Sequence, residues 1–521
     1  MSASPTAALI QEIDDEILEL RRSIFARLER RSALLPATRL PPEILSAIFH
    51  LYVHSFHGMP FRTVNDVSPF TWVAGVTHTC RSWRHVALGT PTLWTHIPVR
   101  RCKPEMIMEF LDRSCNASLV VDIRSSPVYK LVDQRRLRTL QPAFSRIEML
   151  NLQLKEEEYC DLFYRLPEPA TNSLRSLRLS GETVLSFFEA TLLPHHVITT
   201  LEHLEICGYG VDWRLPDLFP KTLTRLSICE SGGYQPSVIA RGVSGLVALR
   251  ELELQRVLLP DDPTTFGSVE KKVHLPYMAD VTLRDYGLLS AFHLLGHFQL
   301  PPRHHVKLND LHTGPEELKA KLLALKTLVS DVFASQGPIC RISLNLNCGE
   351  LSFQGADAQT GAIQMLEFKF DCREIRGGPF LDIFSAICAS LKVYSVYDIH
   401  LTLGGPDAAL DPTHIELLLQ TLQPMRDVHT LSISNAPGQT QDTPLNATLM
   451  AILGRQLQDG AYLLPNLRRL VLGHLDVHAP AGSGRAVDVD VGSGELLQDL
   501  REVLETRRRA GFDLEVMSYS T

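Results

Sequence analysis

Apolar residues recur along most of this chain with the spacing Leu-x-x-Leu-x-Leu. Five good copies begin 27, 27, 22 and 26 residues apart. They are Ile147-Leu150-Leu152, Leu174-Leu177-Leu179, Leu201-Leu204-Ile206, Leu223-Leu226-Ile228 and Leu249-Leu252-Leu254. A period in the twenties indicates a repeat architecture in which each unit contributes one short strand. Because one unit cannot bury its apolar face alone, stacked units should form a parallel sheet over a continuous core.

Looser copies of this spacing continue toward the C-terminal end at irregular intervals. They are ADVTLRD, HHVKLND, CRISLNLN, IQMLEFKF, YDIHLTLG, VHTLSIS and LRRLVLGH. After them, ELLQDLREVLETRRRAG fits a late helix that Gly511 can close, and FDLEVM fits a last strand. The spacing is typical of leucine-rich repeats, so residues 100–521 are predicted to form an irregular repeat solenoid with a parallel β-sheet.

In such units the side chains between the leucines alternate onto the solvent-facing side of the strand. Seven of these positions are candidates for a concave face that binds a protein substrate: Asn151, Arg178, His203, Glu205, Arg225, Glu251 and Glu253. The alternative for any one of them is that it is merely solvated. Cys207 and Cys229 hold equivalent positions in adjacent copies and could be neighbours on the sheet, but two cysteines do not make a catalytic site.

Residues 1–36 follow a different pattern, which predicts an amphipathic helix. Its apolar positions keep a heptad register: Ile10, Ile13, Ile17, Leu20 and Ile24. The next position of that register is Arg27, so the pattern covers little more than two heptads. Two interpretations stay open: a helix that packs on the following domain, or a short coiled coil with a partner, which is marginal at this length.

Residues 38–99 indicate a small all-helical module. In LPPEILSAIF the two prolines suit the first turn of a helix and Glu43 favours the positive end of its dipole. The helix then carries an apolar stripe: Ile44, Leu45, Ile48 and Phe49. A loop over 54–74 leads to VTHTCRSWRHVALGTPTLW, whose apolar positions share one helical face before Gly89 and Pro91 end it.

Composition narrows the class of protein. A length of 521 residues is too great for one core, which favours several domains or a repeat array. The net charge of −8 argues against a nucleic-acid binder. No apolar run reaches membrane-spanning length, and the first residues lack the order of a signal peptide. We therefore expect a soluble intracellular protein of the cytoplasm, the nucleus or both, with reduced cysteines.

Candidate chemistry is sparse. The sequence contains no Walker loop, GxGxxG turn, HExxH helix or GxSxG elbow. None of the ten cysteines forms a CxxC pair, which argues against a zinc site. His304 and His305 are adjacent, and adjacent side chains point apart on helices and strands alike. We expect no catalytic site, no cofactor and no metal, so that function lies in binding surfaces.

LPPEILSAIF, the following loop and VTHTCRSWRHVALGTPTLW together resemble an F-box, in the F-box-like form common in mushroom-forming (basidiomycete) fungi. The match covers residues 40–99 and has three independent parts: the L-P-P-E-I-L opening, the C-R-x-W-R core and the A-x-x-T-P-x-L-W close. The long loop over 54–74 departs from the common pattern. The repeat array behind the module fits the frequent arrangement of an F-box followed by leucine-rich repeats.

The resemblance implies a substrate receptor of a Skp–cullin–F-box ubiquitin ligase. The F-box would dock on the Skp adaptor, and through it on cullin, while the repeats hold a protein substrate. The motif carries the adaptor-binding role onto Leu40, Pro41, Pro42, Ile44, Leu45, Ile48, Phe49, Val76, Cys80, Trp83 and Trp94. The last four of these either join that surface or hold the module together.

Two other hypotheses remain. The repeats could serve a binding scaffold outside any ligase, or an α/β repeat scaffold could carry an enzyme, which the missing catalytic constellation argues against. The substrate, the signal that marks it and the oligomeric state stay open at the level of the sequence. No membrane or nucleic-acid partner is expected.

Overall fold

A computed structural model of the chain describes most of its residues, and the following account concerns those. They are 5–57, 71–99, 102–123, 134–153, 173–181, 200–215, 218–259, 272–301, 304–311, 322, 325–330, 338–346, 350–356, 363–370, 378–403, 411–435, 443–473 and 495–519. Of the predicted loop over 54–74, residues 58–70 lie outside the described residues. The prediction is wrong at both ends, because 54–57 and 71–74 are helical.

Twelve α-helices are assigned in the described part of the chain. They are α1 (Pro5–Ala33), α2 (Pro42–His57), α3 (Thr71–Thr77), α4 (Arg81–Leu88), α5 (Pro104–Arg113), α6 (Gln134–Leu140), α7 (Pro236–Val243), α8 (Leu288–Gly296), α9 (Gly378–Ser390), α10 (Pro412–Leu422), α11 (Thr443–Gly454) and α12 (Glu495–Arg509). The predicted N-terminal helix and the late helix closed by Gly511, whose φ is +88°, are therefore both confirmed.

Eighteen β-strands accompany these helices in the described segments. They are β1 (His96–Pro98), β2 (Leu119–Ile123), β3 (Ile147–Leu152), β4 (Ser176–Ser180), β5 (His203–Cys207), β6 (Arg225–Cys229), β7 (Glu251–Gln255), β8 (Val273–His274), β9 (Asp280–Arg284), β10 (Phe298–Gln299), β11 (His305–Leu311), β12 (Ile339–Asn345), β13 (Glu350–Ala356), β14 (Ile363–Phe370), β15 (Asp398–Leu403), β16 (Thr430–Asn435), β17 (Arg469–Gly473) and β18 (Glu515–Tyr519). Every predicted copy of the apolar spacing contains one of them.

The chain divides into two units by the density of its internal contacts. The first comprises Met1–Glu182 and Leu193–Leu201, and the second comprises Thr183–Leu192 and Glu202–Thr521. The first holds α1 to α6 and β1 to β4, and the second holds the remaining helices and strands.

In the first unit, strands β1 to β4 lie side by side in chain order and all run parallel. Because β1 falls within 38–99, the prediction of an all-helical module is wrong at the end of that range. Val121, Leu150 and Leu177 are paired in register across three of them. All three side chains are buried, because the alternation of the strand turns them to the same side of the sheet. The apolar spacing therefore marks a buried row, as predicted.

In the second unit the strands follow the order β5-β6-β7-β9-β11-β14-β13-β12-β15-β16-β17-β18. Two apolar rows cross its first five strands in register. One consists of Leu204, Leu226, Leu252, Val281 and Val306, and the other of Ile206, Ile228, Leu254, Leu283 and Leu308. All ten side chains are at most 2 % exposed, so these rows form the core beneath this part of the sheet.

The sheet is mainly parallel, as predicted, but the pairing departs from this at β12, β13 and β14. Strand β13 pairs antiparallel with both neighbours, and β14 rather than β12 lies beside β11. Leu351 and Phe353 of β13 alternate inward, and Phe353 packs edge-on to Phe368 with ring centroids 5.9 Å apart. Burial of this alternating apolar face explains why a meander is stable at this place in the sheet.

Helices cover the core of the second unit. Along the chain, α7 packs on α8, α9 on α10, α10 on α11 and α11 on α12. All nine residues of α8 are buried, including the polar Ser290 and His293, so this helix is enclosed on all sides. The architecture is thus a mixture of helices and strands with a mainly parallel sheet. Among the described helices, none has the length and apolar character that crossing a membrane requires.

Candidate functional site

Helix α2 has two apolar faces with different surroundings. Leu45, Phe49 and Val53, spaced four residues apart, are at most 3 % exposed. Ile44 and Ile48 lie one position earlier, and they are 48 % and 42 % exposed. Leu51 and Tyr52 extend this second face into solvent. A helix with one face in a core and a second apolar face in water has the form of a docking element.

The buried face of α2 is held by the C-R-x-W-R block. Phe49 meets Trp83 edge-on, with ring centroids 5.2 Å apart. Cys80 is the N-cap of α4, and its Sγ accepts a hydrogen bond from the Trp83 backbone N–H at 3.5 Å. The Trp83 indole N–H donates to the Ala37 carbonyl at 3.4 Å, which ties the segment before α2 to α4. These contacts fix α2 on α4.

The A-x-x-T-P-x-L-W block supplies the centre of the module. Trp94 is fully buried, its indole N–H donates to the Ala87 carbonyl at 2.9 Å, and its ring lies 5.1 Å from that of Trp72. Phe110 of α5 closes the cluster at 5.2 Å from Trp94, and the Arg113 guanidinium stacks 4.2 Å from the Trp94 ring. Aromatic pairs at these distances add to the stability gained by burial alone. The block is therefore structural.

The exposed face of α2 is also positioned by polar contacts at its flank. Thr92 Oγ1 and His50 Nε2 are 2.9 Å apart. Burial and the neighbouring His54 lower the pKa of His50. The Tyr52 hydroxyl lies so close to Gly75 that a Cβ there would be 2.9 Å from it. These contacts restrict the rotation of α2 about its own axis.

Helix α1 shows most of its apolar residues to solvent. The exposed ones are Leu9, Ile10, Ile13, Ile17, Leu18, Leu20, Ile24, Phe25 and Leu28. Near its C-terminal end, Glu29 pairs with Arg81 of α4 at 3.2 Å and the Arg81 guanidinium lies 5.9 Å from the Phe25 ring. Helix α1 thus contacts the module at one end and leaves a long apolar stripe open, so both interpretations of its heptads stand.

The eleven candidate adaptor-binding residues fall into three groups by exposure. Leu40, Pro41, Pro42, Ile44 and Ile48 are exposed, and Cys80 and Trp83 are half-buried. Leu45, Phe49, Val76 and Trp94 are buried inside the module, so Leu45 and Phe49 do not lie on the exposed face of α2. For Val76 and Trp94 burial fits the alternative that they hold the module together, and adaptor binding by any of the eleven stays a prediction. Consecutive helical residues are about 100° apart, so a stripe at i, i+1, i+4 and i+5 spans two faces. The pattern alone does not say which face is buried.

The candidate substrate-binding residues occupy the solvent-facing rows of the sheet in their own units. In the first unit, Asn151 and Arg178 are paired in register on β3 and β4. In the second unit, His203, Arg225 and Glu251 form one row, and Glu205, Ser227 and Glu253 form the next. All of these side chains are exposed or half-buried, as the alternation of the repeats predicts.

Ion pairs between neighbouring strands neutralise much of this surface in the second unit. Arg225 Nε lies 3.2 Å from Glu251 Oε2, and Arg284 Nε lies 3.1 Å from Glu253 Oε1. Ser227 Oγ also donates to Glu253 at 3.5 Å. Pairs at this exposure contribute less than about 1 kcal/mol each to stability.

A row of left-handed residues ends four neighbouring strands of the second unit. Gly208, Glu230, Arg256 and Asp285 have φ values of 73°, 56°, 51° and 58°. Each backbone N–H in this row donates to a carbonyl of the next strand, at 2.8–3.3 Å. Arg256 contacts Glu230 at 2.9 Å and Asp285 at 3.3 Å. In residues other than glycine the left-handed conformation is unfavourable, and the backbone hydrogen bonds to the next strand offset that cost.

Cys207 and Cys229 are in register on β5 and β6, as the sequence predicted for equivalent repeat positions. Their sulfur atoms and a carboxylate oxygen of Glu230 lie within 4.8 Å of one another. Cys229 Sγ also donates a hydrogen bond to Gln255 Oε1 at 3.5 Å. The absence of CxxC pairs from the sequence does not exclude this group, because its two cysteines are separated by one repeat length instead of the short spacing of a CxxC pair.

No protein-family model matches the chain, and a search of curated proteins finds no significant match.

Proposed function

We propose that this protein is a non-catalytic substrate receptor that docks on the Skp adaptor of a ubiquitin ligase. The observation that supports this most is the second, exposed apolar face of α2, formed by Ile44, Ile48, Leu51 and Tyr52. It belongs to the same stretch that resembles an F-box. In that family the helical module is the part that binds the adaptor.

Such a face favours binding to a partner, because leaving large apolar side chains in water is unfavourable. Large aliphatic and aromatic side chains at the centre of an interface carry most of its binding energy. The neighbouring Leu40, Pro41 and Pro42 are also exposed and enlarge the patch. The other face of α2 is fixed by Phe49 and Trp83, so the patch is presented on a rigid element. Docking would therefore cost little conformational entropy.

The substrate would bind to the open sheet faces. Asn151 and Arg178 offer polar groups in the first unit, and the rows through Arg225 and Glu253 do so in the second. A protein surface with dispersed charges suits these paired rows. A scaffold that uses the same rows without a ligase is the alternative, and the two functions differ in whether the chain binds the adaptor.

Co-purification with a fungal Skp adaptor tests the proposal. Ile44→Asp with Ile48→Asp places two charges on the exposed face of α2 and should abolish the complex. Val247→Asp with Tyr394→Asp is the matched control, since both residues are similarly exposed in the second unit. The control should retain the complex. Equal retention by both variants would assign the adaptor to another surface, and no complex with the unaltered chain would favour the scaffold.

A further inference from the structure

The second unit brings two thiols and a carboxylate together on the open side of its sheet. Cys207 and Cys229 occupy the last positions of β5 and β6, in register, and Glu230 follows directly. One ligand atom from each residue lies within 4.8 Å of the other two, and all three residues are half-buried. The group is accessible from solvent and is fixed by the hydrogen bonds of the sheet.

Glu230 reaches the two thiols because its backbone is left-handed. Strand alternation buries Leu226 and Ile228 and turns Ser227 and Cys229 outward, so a continued strand would bury residue 230. Its φ of +56° ends that alternation. The backbone N–H donates to the Gln255 carbonyl at 2.8 Å, which holds the turn.

We propose that Cys207, Cys229 and Glu230 bind a thiolate-preferring metal ion, Zn²⁺ being the ion that fits the set. Two sulfurs and one carboxylate oxygen are ligands that zinc accepts, whereas magnesium and calcium select oxygen alone. Three protein ligands leave the fourth tetrahedral position for water or for a donor from a partner. This site is independent of the proposed adaptor surface, which lies in the other unit.

Both thiols must lose a proton before they can bind a metal ion as thiolates. Burial, with Glu230 among the nearby charges, raises the pKa of Cys207, and burial raises that of Cys229 to about 12. Zinc binding would release one proton from each thiol, and affinity would rise with pH.

Two neighbouring residues, Arg256 and Gln255, contact the proposed ligands, and each would keep a hydrogen bond on metal binding. Arg256 donates to one oxygen of Glu230 at 2.9 Å, and a carboxylate has a second oxygen to offer a metal. Binding would break the hydrogen bond from Cys229 to Gln255, because that bond uses the thiol proton. Gln255 keeps its second contact, a donation from Nε2 to Asp285 at 2.7 Å.

The test uses the full chain, reduced and stripped of metal, titrated with Zn²⁺ against a coloured chelator. Cys207→Ser and Cys229→Ser should each weaken Zn²⁺ binding at least about tenfold. A loss of about tenfold is already typical when a group that only hydrogen-bonds to a metal ligand is removed, and each cysteine is a ligand itself. Cys340→Ser is the matched control, a half-buried cysteine on β12, and should bind like the unaltered chain. Calorimetry in buffers of different ionisation enthalpy should show two protons released per ion.

Glu230→Gln keeps the size of the side chain and both thiols, so it tests the third ligand without removing a cysteine. It should weaken binding about tenfold or more while two protons are still released. Equal Zn²⁺ affinity in the unaltered chain and in a Cys207→Ser, Cys229→Ser double variant would overturn the proposal. Formation of a Cys207–Cys229 disulfide in place of zinc binding would overturn it as well.

Discussion

At the scale of single residues, Gly242 shows how closely α7 approaches its neighbour. A Cβ at this position would lie 2.6 Å from Cε3 of Trp213, whose indole is 1 % exposed. Gly242→Ala should lower the free energy of unfolding by about 1–3 kcal/mol, because overpacking here outweighs the better helix propensity of alanine. Urea unfolding followed by tryptophan fluorescence would measure the change.

Gly245 is the matched control for that substitution. It lies three residues later, and a Cβ there would meet no atom within 4 Å. Gly245→Ala should therefore change the free energy of unfolding by no more than about 0.5 kcal/mol. Equal losses for the two variants would contradict the packing of Trp213 on α7.

His297 follows α8, and its ring centroid lies 4.9 Å from that of His293. Burial, reinforced by His293, lowers the pKa of His297 to about 4. In the unfolded chain its pKa is about 6.5, so the unfolded state binds more protons between these values. His297 should therefore make stability fall as the pH drops from about 6.5 toward 4.

His297→Gln removes this titration and should flatten that part of the profile relative to the unaltered chain. Urea midpoints at intervals of pH would show the difference, since all other groups titrate in both proteins. Parallel profiles would contradict the low pKa assigned to His297.

Single residues also mark what sequence could not reveal about the candidate site. The positions of Cys207 and Cys229 follow from the repeat register, and the sequence predicted them as neighbours. Glu230 does not follow, because alternation would have turned it inward. Its left-handed conformation depends on hydrogen bonds to the next strand, which a local pattern does not contain.

At the scale of elements, α2 has a buried and an exposed apolar face, which the sequence pattern showed as one stripe. Leu45→Ala opens a cavity on its buried face and should cost about 2–5 kcal/mol of stability. Ile48→Ala, on the exposed face, should change stability by no more than about 0.5 kcal/mol. Denaturant unfolding of the two variants would compare them directly. A larger loss of stability at Ile48 than at Leu45 would contradict this account, because it would mean that α2 buries its other face.

The strands were predictable because their spacing is a direct consequence of burial. Leu252 and Leu254 lie on the core side of β7, and Glu251, Glu253 and Gln255 lie opposite, as period-two alternation requires. Strand β13 was missed because it has only Leu351 and Phe353 as an apolar alternation. Its two inward residues do not make the three-position spacing that identified the predicted strands.

At the scale of the whole molecule, chain order predicted most strand neighbours but not all of them. Adjacent repeats pair in sequence order because each buries its apolar face against the next. Strands β12, β13 and β14 break this rule, and β14 takes the place beside β11. Strand choice there depends on contacts between distant residues, such as the stacking of Phe292 on Phe368 at 5.7 Å. No local spacing encodes such a pairing.

The most direct test of the central claim is the mass, by light scattering, of the full chain mixed with a fungal Skp adaptor at micromolar concentration. The exposed face of α2 predicts one species containing one copy of each protein, which the Ile44→Asp, Ile48→Asp variant separates into its two components. Two separate species from the unaltered chain, with its fold intact by circular dichroism, would contradict the proposed receptor function.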